Sequence, residues 1–305
     1  MLSAERRSRW LLAGEAEVPQ ALSSLLARAP SRVVRADAVT DSPQPLPRRG
    51  FLVVSDQALQ NPRTCEDLVR RSLSGVRVIR PRDYYERVLR RVYLEDLDET
   101  WFLFDRPLRR RRMYEAAKAL IDFVAGALGS LLAVLLLPVV WLLGKLEGGG
   151  PVFYRQERVG RYGRPLTIWK FRTMRVDAER DGPVWASPDD DRVTRVGRVL
   201  RATHLDELPQ FFNVLRGEMS LVGPRPERPV FVRLLNRAIP FFDRRHLMRP
   251  GITGWAVVRF GYSDSVRDKW IIHEHDLYYL KHRSLSLDFE IVVRTILSMA
   301  LGRGQ

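Results

Sequence analysis

The sequence predicts an α+β, membrane-associated protein in which one membrane helix joins a small α/β N-terminal module to a larger, mostly helical domain. Three observations carry that prediction. Ala116 to Leu143 is almost wholly apolar, interrupted by Lys118 and Asp122 near its start and Pro138 near its end. About 20 such residues suffice to cross a bilayer. Before this stretch, short β-like runs alternate with a helical pattern; after it, the chain is basic, dense in short motifs, and then helical again. The expected boundaries are 1–105 for the module and its linker, 106–147 for a basic flank and the membrane helix, and 148–305 for the larger domain.

In the N-terminal part, Ser31 to Val39, Gly50 to Ser55 and Gly75 to Arg80 read as strands. The last two flank a helical pattern around Cys65 to Leu73, an arrangement like βαβ but without the glycine-rich phosphate loop of a dinucleotide fold. Asp83 to Asp98 reads as one polar helix. The start, Met1 to Arg9, is charged and is followed by an apolar run of only Trp10 to Ala13, so no signal peptide is expected there.

The membrane helix is basic on both sides. Arg106, Arg109, Arg110, Arg111 and Arg112 precede it; Lys145, Arg155, Arg158, Arg161 and Arg164 follow it. Basic flanks stay cytoplasmic, so a re-entrant helix, entering and leaving by one face, reconciles the two. Pro138 removes a helix hydrogen bond and favours a bend, with Ser130 available to satisfy freed backbone groups. A single-pass helix with a late kink is the competing reading. Pro229 to Leu247 and Leu287 to Leu301 interleave apolar and polar residues, as interfacial helices or helices packed on the domain's own core would.

With 305 residues and 45% hydrophobic content, the chain can build a proper core. The formal net charge of +15 calls for an anionic partner: nucleic acid, membrane lipid or a phosphorylated substrate. No helix-turn-helix, zinc finger or RNA-binding signature is present, which counts against nucleic acid. Cys65, the single cysteine, excludes an intramolecular disulfide framework and a multi-cysteine zinc site.

Asp206 and Glu207 are the candidates for chemistry. They stand in Arg201-Ala202-Thr203-His204-Leu205-Asp206-Glu207-Leu208-Pro209-Gln210, close in sequence to Arg192, Arg195, Arg198, Arg216 and Arg225. Such cations are expected to keep both carboxylates ionised. An ionised carboxylate can attack phosphorus or hold a hard cation through oxygen. On a helix, neighbours point about 100° apart, which fits two distinct roles. Lys170 and Arg172 lie two apart, and a strand would aim both to one face, suited to a diphosphate. Gly223-Pro224-Arg225-Pro226 is a stiff turn whose prolines can fix the direction of Arg225. Arg249-Pro250-Gly251-Ile252-Thr253-Gly254-Trp255 is a second stiff, basic loop, here beside an aromatic ring.

Together with Asp191 to Arg198, Asn213-Val214-Leu215-Arg216-Gly217 and Met219 to Pro226, these motifs resemble the bacterial sugar transferase family, the monotopic polyprenyl-phosphate phosphoglycosyltransferases, from about Tyr114 to the C-terminus. The resemblance implies a re-entrant helix in the bacterial inner (cytoplasmic) membrane, a catalytic domain facing the cytoplasm, and Mg²⁺. It implies transfer of a sugar 1-phosphate from a nucleotide sugar, such as a UDP-sugar, to polyprenyl phosphate through a covalent phosphosugar on aspartate. That reaction would initiate exopolysaccharide, capsule or O-antigen synthesis.

Carried onto this sequence, the resemblance makes Asp206 the nucleophile and Glu207 its partner, both near the metal. Lys170, Arg172, Arg201 and Arg225 become phosphate ligands. Pro138, Pro224, Pro226, Arg249, Gly251, Thr253 and Trp255 become structural or positioning residues. Leu137 stands where a serine often precedes the proline, His204 takes a common serine position, and Val257, Val258 and Arg259 replace the usual Gln-Val-Asn. These departures bear on fine substrate contacts. Upstream, Asp83 to Glu86 and Leu97 to Phe104 resemble the linker of larger members associated with exopolysaccharide export. A catalytically idle scaffold of an assembly complex is the alternative, and the intact Asp206 and Glu207 count against it. The sugar, the polymer and homo-oligomer formation are left open.

Overall fold

The computed structural model describes residues 9–13, 33–36, 50–54, 59–75, 77–95, 97–104, 111–178, 190–261 and 265–301. Arg106, Arg109 and Arg110 of the expected basic flank lie outside the described residues. The chain forms two compact units, Met1–Asp96 and Leu97–Gln305.

In the first unit, β1 (Arg9–Ala13), β2 (Val33–Ala36), β3 (Gly50–Val54) and β4 (Arg77–Ile79) form a sheet in the order β2-β1-β3-β4, parallel throughout. Parallel neighbours need a crossover, and α1 (Pro62–Leu73) supplies it between β3 and β4. The start of α1 is set by Pro62 in its first turn and by Asn61, whose side chain accepts from Arg63 N at 3.0 Å. The short run Trp10 to Ala13 is the interior strand β1. Its role is invisible in sequence because four apolar residues gain meaning only from the strands on either side.

The expected helix over Asp83 to Asp98 is shorter. It forms as α2 (Pro81–Leu89) and ends where Arg90 turns left-handed at φ 55°. The chain then runs irregularly, burying Val92, Tyr93 and Leu94. Tyr93 meets Tyr85 edge to face, with centroids 5.1 Å apart, in a cluster that also holds Val53 and Tyr84. Core burial of this segment therefore outcompetes helix continuation.

In the second unit, α3 (Glu99–Phe104) begins beside Asp98, whose carboxylate accepts from Thr100 Oγ1 and from Trp101 N. The apolar stretch forms α4 (Arg112–Leu146), about 52 Å long at 1.5 Å per residue. It is long and apolar enough to cross a membrane, and most of its apolar surface is exposed. Pro138 lies inside α4 without ending it. Ser130 is buried but makes no hydrogen bond, so the help expected from its hydroxyl is absent.

One stripe of α4 packs on protein. Its glycines permit close approach: a Cβ on Gly126 would lie 2.8 Å from Leu215 N, and one on Gly129 would lie 2.2 Å from the Phe211 ring. Ala133 and Val140 join a core with Phe171, Leu200 and Leu208. Asp122, an acid in an apolar helix, is accounted for by the same contact. Its Oδ1 accepts from Ser220 Oγ at 3.0 Å and from Leu221 N at 2.9 Å.

After α4 come an antiparallel hairpin, β5 (Phe153–Val159) and β6 (Pro165–Phe171), and then α5 (Arg195–Ala202). A 3₁₀ turn over Leu205–Gln210 leads into α6 (Phe211–Leu215). β7 (Ser220–Val222), α7 (Pro229–Ala238) and β8 (Gly251–Thr253) follow, with β7 and β8 pairing in parallel. Three helices close the chain: α8 (Trp255–Arg259), α9 (Val266–His282) and α10 (Leu285–Ala300).

The stretch Pro229 to Leu247 is not one helix. Pro240 separates α7 from a 3₁₀ turn over Phe242–Leu247, and Leu235, Ile239 and Phe242 are fully buried. It packs on the domain's own core. α10 instead buries Leu287 and Ile291 while exposing Phe289, Ile296 and Leu297, the pattern of a helix with one apolar face outside the protein.

Both ends of α4 are tied to this unit. At the start, the Arg111 guanidinium donates to the carbonyls of Arg283 and Lys281, and Tyr114 and Lys118 each reach Asp288 Oδ2 at 3.0 Å. At the finish, the Glu147 carboxylate accepts from Arg195 N at 2.5 Å and Val196 N at 3.0 Å, capping α5 together with Thr194.

Candidate active site

Asp206 and Glu207 sit on the 3₁₀ turn, not on an α-helix, and the turn opens at His204 in a left-handed conformation, φ 55°. Both carboxylates are largely enclosed. Lys170, on β6, places Nζ 2.6 Å from Glu207 Oε1 and 4.0 Å from Asp206 Oδ2. Arg225 reaches the other side of Glu207, with Nη2 at 2.7 Å from Oε1 and Nη1 at 3.5 Å from Oε2. Arg201 donates from Nε to Thr173 Oγ1 at 3.0 Å, and its charge is felt at Asp206. Lys170, Arg201 and Arg225 are therefore gathered around the acidic pair.

Arg172 is not. Its guanidinium turns away to donate to the Gly149 carbonyl. Gly150 beside it has a positive φ of 93°, a turn that favours glycine. β6 ends at Phe171, so the expected two-residue alternation stops before it brings Arg172 beside Lys170.

The two carboxylates differ electrostatically. Burial alone would raise Glu207, but the charges and hydrogen bonds of Arg225 and Lys170 override it and hold that carboxyl far below the usual range. Arg225 is in turn held charged by Glu207. At Asp206 burial prevails over Lys170 and raises the carboxyl above its usual value. The nearby cations thus hold Glu207 down as expected, whereas at Asp206 they are outweighed by burial and the shift is upward. Asp206 accepts no close ion pair, so desolvation is not repaid there.

The stiff loops lie side by side because β7 and β8 are paired. Gly251 N donates to Pro224 O and Gly223 N to Thr253 O, each at 2.9 Å. A Cβ on Gly251 would come within 2.1 Å of Gly223 N, so this approach requires glycine. Pro224 and Pro226 are buried, while Arg225 between them is exposed. Thr253 Oγ1 lies 2.7 Å from Thr295 Oγ1 on α10. Trp255 is buried against Tyr278, under the guanidinium groups of Arg259 and Arg294. Arg249 lies on the wall of a separate cavity.

A buried ionic layer beneath the Arg225 turn is absent from the sequence reading. Arg158 Nη1 donates to Pro226 O and Arg245 Nη2 to Arg225 O, each at 3.0 Å. Two guanidinium groups thus fix two successive carbonyls of the turn. Arg245 Nη2 also lies 2.7 Å from Asp276 Oδ2, off the axis of an aligned hydrogen bond, and Lys269 pairs with Glu227. Burial pushes Arg158 down to about 10 and Asp276 up to about 6. Burial and the charge of Arg245 push His246 down to about 4 and His273 to about 3. Only the position of Arg158 on the face of Lys170 was available as a signal; Arg245 and Asp276 meet only in the fold.

A lysine and arginines gathered around two enclosed carboxylates, on a unit carrying a long apolar helix, define a membrane-associated protein with a strongly charged, enclosed site. The sequence pattern of the bacterial sugar transferase family matches residues 113–302, and the chain belongs to that family. Over 239 residues it is 42% identical to the UDP-N-acetylgalactosamine-undecaprenyl-phosphate N-acetylgalactosaminephosphotransferase of Aeromonas hydrophila, covering 78% of this chain and 55% of that protein. It is 40% identical over 199 residues to the UDP-glucose:undecaprenyl-phosphate glucose-1-phosphate transferase of Klebsiella pneumoniae, covering 64% of this chain and 42% of that one. A Caulobacter vibrioides protein of the same name is 44% identical over 187 residues, 60% of this chain and 69% of its own length. The chain spans about half the length of the first two relatives.

The ionic layer generates a pH-dependent stability. An unfolded histidine binds a proton near pH 6.5, whereas folded His246 and His273 resist until about 4 and about 3. Acidification below pH 6.5 therefore favours the unfolded chain by up to about 1.4 kcal/mol per pH unit per histidine. Asp276 acts in the opposite sense: between 3.8 and about 6 the folded state holds its proton, and the penalty for its charge is complete only above that window. The thermal midpoint of detergent-solubilised protein is expected to fall from pH 6.5 to 4.5. The fall should be shallower in His273→Gln and steeper in Asp276→Asn. Identical slopes in all three proteins would contradict this account.

Proposed function

We propose that this protein transfers a sugar 1-phosphate from a UDP-sugar to undecaprenyl phosphate, releasing UMP and initiating synthesis of a surface polysaccharide. The carrying observation is the enclosed Asp206–Glu207 pair among Lys170, Arg201 and Arg225. The printed names of the relatives, each an undecaprenyl-phosphate sugar phosphate transferase, support the same reading.

In the first step, an Asp206 carboxylate oxygen attacks the β-phosphorus of the UDP-sugar. An Asp–O–P bond forms, the bond from that phosphorus to the bridging oxygen breaks, and UMP leaves with the electron pair. In the second step, an oxygen of undecaprenyl phosphate attacks the same phosphorus, forming the lipid diphosphate and returning Asp206 as carboxylate. Partial desolvation leaves Asp206 less stabilised by solvent and free of a close ion pair, properties that favour a nucleophile. Lys170, Arg201 and Arg225 neutralise phosphate charge as it shifts. Glu207, ionised and held on both sides, orients Lys170 and Arg225.

Two adjacent carboxylates suit Mg²⁺, which takes oxygen ligands and seldom a complete protein cage. Among the described residues no cluster of three or more acidic, histidine or cysteine ligands exists, so substrate oxygens would have to complete the shell. Asp206 and Glu207 would hold the ion, and when bound it would offset the charge of the departing phosphate. UMP release from UDP-sugar in the presence of undecaprenyl phosphate tests the reading. Wild type should release UMP, stop in excess EDTA and recover with Mg²⁺. Asp206→Asn should lose at least about 10³-fold while keeping the wild-type melting curve. Substantial release by Asp206→Asn would sink the role of Asp206, and full release in EDTA would sink the metal.

We further propose that α4 is re-entrant and that both compact units face the cytoplasm at the bacterial inner membrane. Anchoring of both α4 ends to one folded unit supports this, as does the basic start of the helix. Domain limits of 1–105, 106–147 and 148–305 fit the same plan, with the last segment catalytic. Cysteines placed at Gln44, which lies outside the described residues, and at Gly302, in a Cys65→Ser background, test the topology. An impermeant thiol reagent should label neither in intact cells and both after the membrane is opened. Labelling at position 44 alone in intact cells would establish a spanning helix.

A further inference from the structure

The hairpin β5–β6 has two faces, and the acidic pair uses one of them. Tyr154 pairs with Lys170 and Arg155 with Trp169, so adjacent pairs point in opposite directions. Lys170 reaches Asp206 and Glu207 from one face. Arg155 and Trp169 belong to the other, where a cavity of about 730 Å³ opens.

Five arginines line that cavity: Arg155 on β5, Arg161 and Arg164 in the hairpin turn, Arg216 after α6, and Arg249 before β8. They come from separate segments and converge only in the fold. Among the described residues none of the five has a carboxylate within ion-pair distance, whereas Arg192, Arg225 and Arg245 each have one. The one acid on the wall, Glu218, accepts from Asn213 Nδ2 at 2.7 Å. Two of the guanidinium groups lie over rings, Arg155 over Trp169 at 5.1 Å and Arg161 over Tyr162 at 4.6 Å. A ring beneath the guanidinium restrains it while N–H groups stay available to an anion; Arg161 commits only its Nε, to Leu247 O at 3.4 Å.

Like charges converging on a concave surface repel one another and focus potential into it, so an anion there relieves a cost that the protein alone carries. Planar guanidinium edges match phosphate oxygens in pairs. The volume fits a ligand of headgroup size. Arg216 follows Leu215, whose backbone packs against Gly126 of α4, so the basin adjoins the segment that packs on the membrane helix.

We infer that this arginine basin is a second phosphate-binding site, separate from the Asp206 site, that takes a phosphate-bearing anion of headgroup size. The phosphate can belong to a soluble diphosphate or to an anionic lipid headgroup. The inference rests on the basin alone and not on the proposed transfer reaction.

The test compares the full chain in neutral detergent with an Arg155→Gln/Arg164→Gln/Arg216→Gln variant. One arm titrates inorganic pyrophosphate and the other short-chain phosphatidylglycerol, both by calorimetry. If the ligand is soluble, wild type binds two pyrophosphates, one at Lys170 and Arg225 and one in the basin, and the variant binds one. If it is a lipid, both bind one pyrophosphate, and phosphatidylglycerol binding weakens at least about tenfold in the variant, as loss of three cations requires. UMP release should be unchanged in either case. Should the triple variant melt early, Arg164→Gln/Arg216→Gln, at two exposed positions, replaces it. Indistinguishable binding by wild type and variant in both arms overturns the inference. A well-folded variant that loses UMP release also overturns it, because the basin would then belong to the reaction site.

Discussion

Glu207 is held between two cations, and the rest of the site depends on that bridge. Lys170 comes from the hairpin, Arg225 from the stiff turn after β7, and both donate to the same carboxylate oxygen. Without it, two positive groups would face each other across an enclosed space beside a buried Asp206. With it, three segments distant in sequence are fixed in one arrangement. Arg225 is half exposed, so its share of the bridge is screened by water and contributes less than the short distance implies. Lys170 is the better protected partner.

The division between the acids follows. Glu207 accepts both cations, stays ionised and acts as a strut. Asp206 receives neither closely, and burial raises its proton affinity. On the proposed reaction this is the useful asymmetry, because a nucleophile locked into an ion pair would have to break it before attacking phosphorus. The turn that carries Arg225 is stiffened from beneath by Arg158 and Arg245, and α4 is connected to the same region through Asp122, which accepts from Ser220 and Leu221 on β7. The long apolar helix thus holds β7 by hydrogen bonds a few residues before the turn that carries Arg225.

Much of this was legible in the sequence, for reasons that differ by element. The long apolar helix was plain because its length exceeds what a core helix needs. The βαβ unit of β3, α1 and β4 was plain from alternating patterns. The motifs around Asp206, Arg225 and Arg249 carried the family because each combines unusual residues at fixed spacing. Other features depend on contacts between distant residues. Strand β1 is four apolar residues and one arginine with no local signature. The break after α2 follows from burying Tyr93 and Leu94, not from a helix-breaking residue. Arg172 leaves the acidic pair to donate to the Gly149 carbonyl, a partner that only the fold brings near. The raised carboxyl of Asp206 reflects enclosure, which charge counting along the chain cannot register. The layer of Arg245, Asp276 and Glu227 joins residues that nothing in the sequence pairs.

The central claim is that Asp206, not Glu207, bonds to phosphorus, and intact-protein mass spectrometry addresses it most directly. Protein given a UDP-sugar without lipid acceptor should gain the mass of one phosphosugar, and fragmentation should place it on Asp206. Adding undecaprenyl phosphate should return the mass to that of the free protein. An adduct on Glu207, or full UMP release with no adduct at any time, would contradict the account.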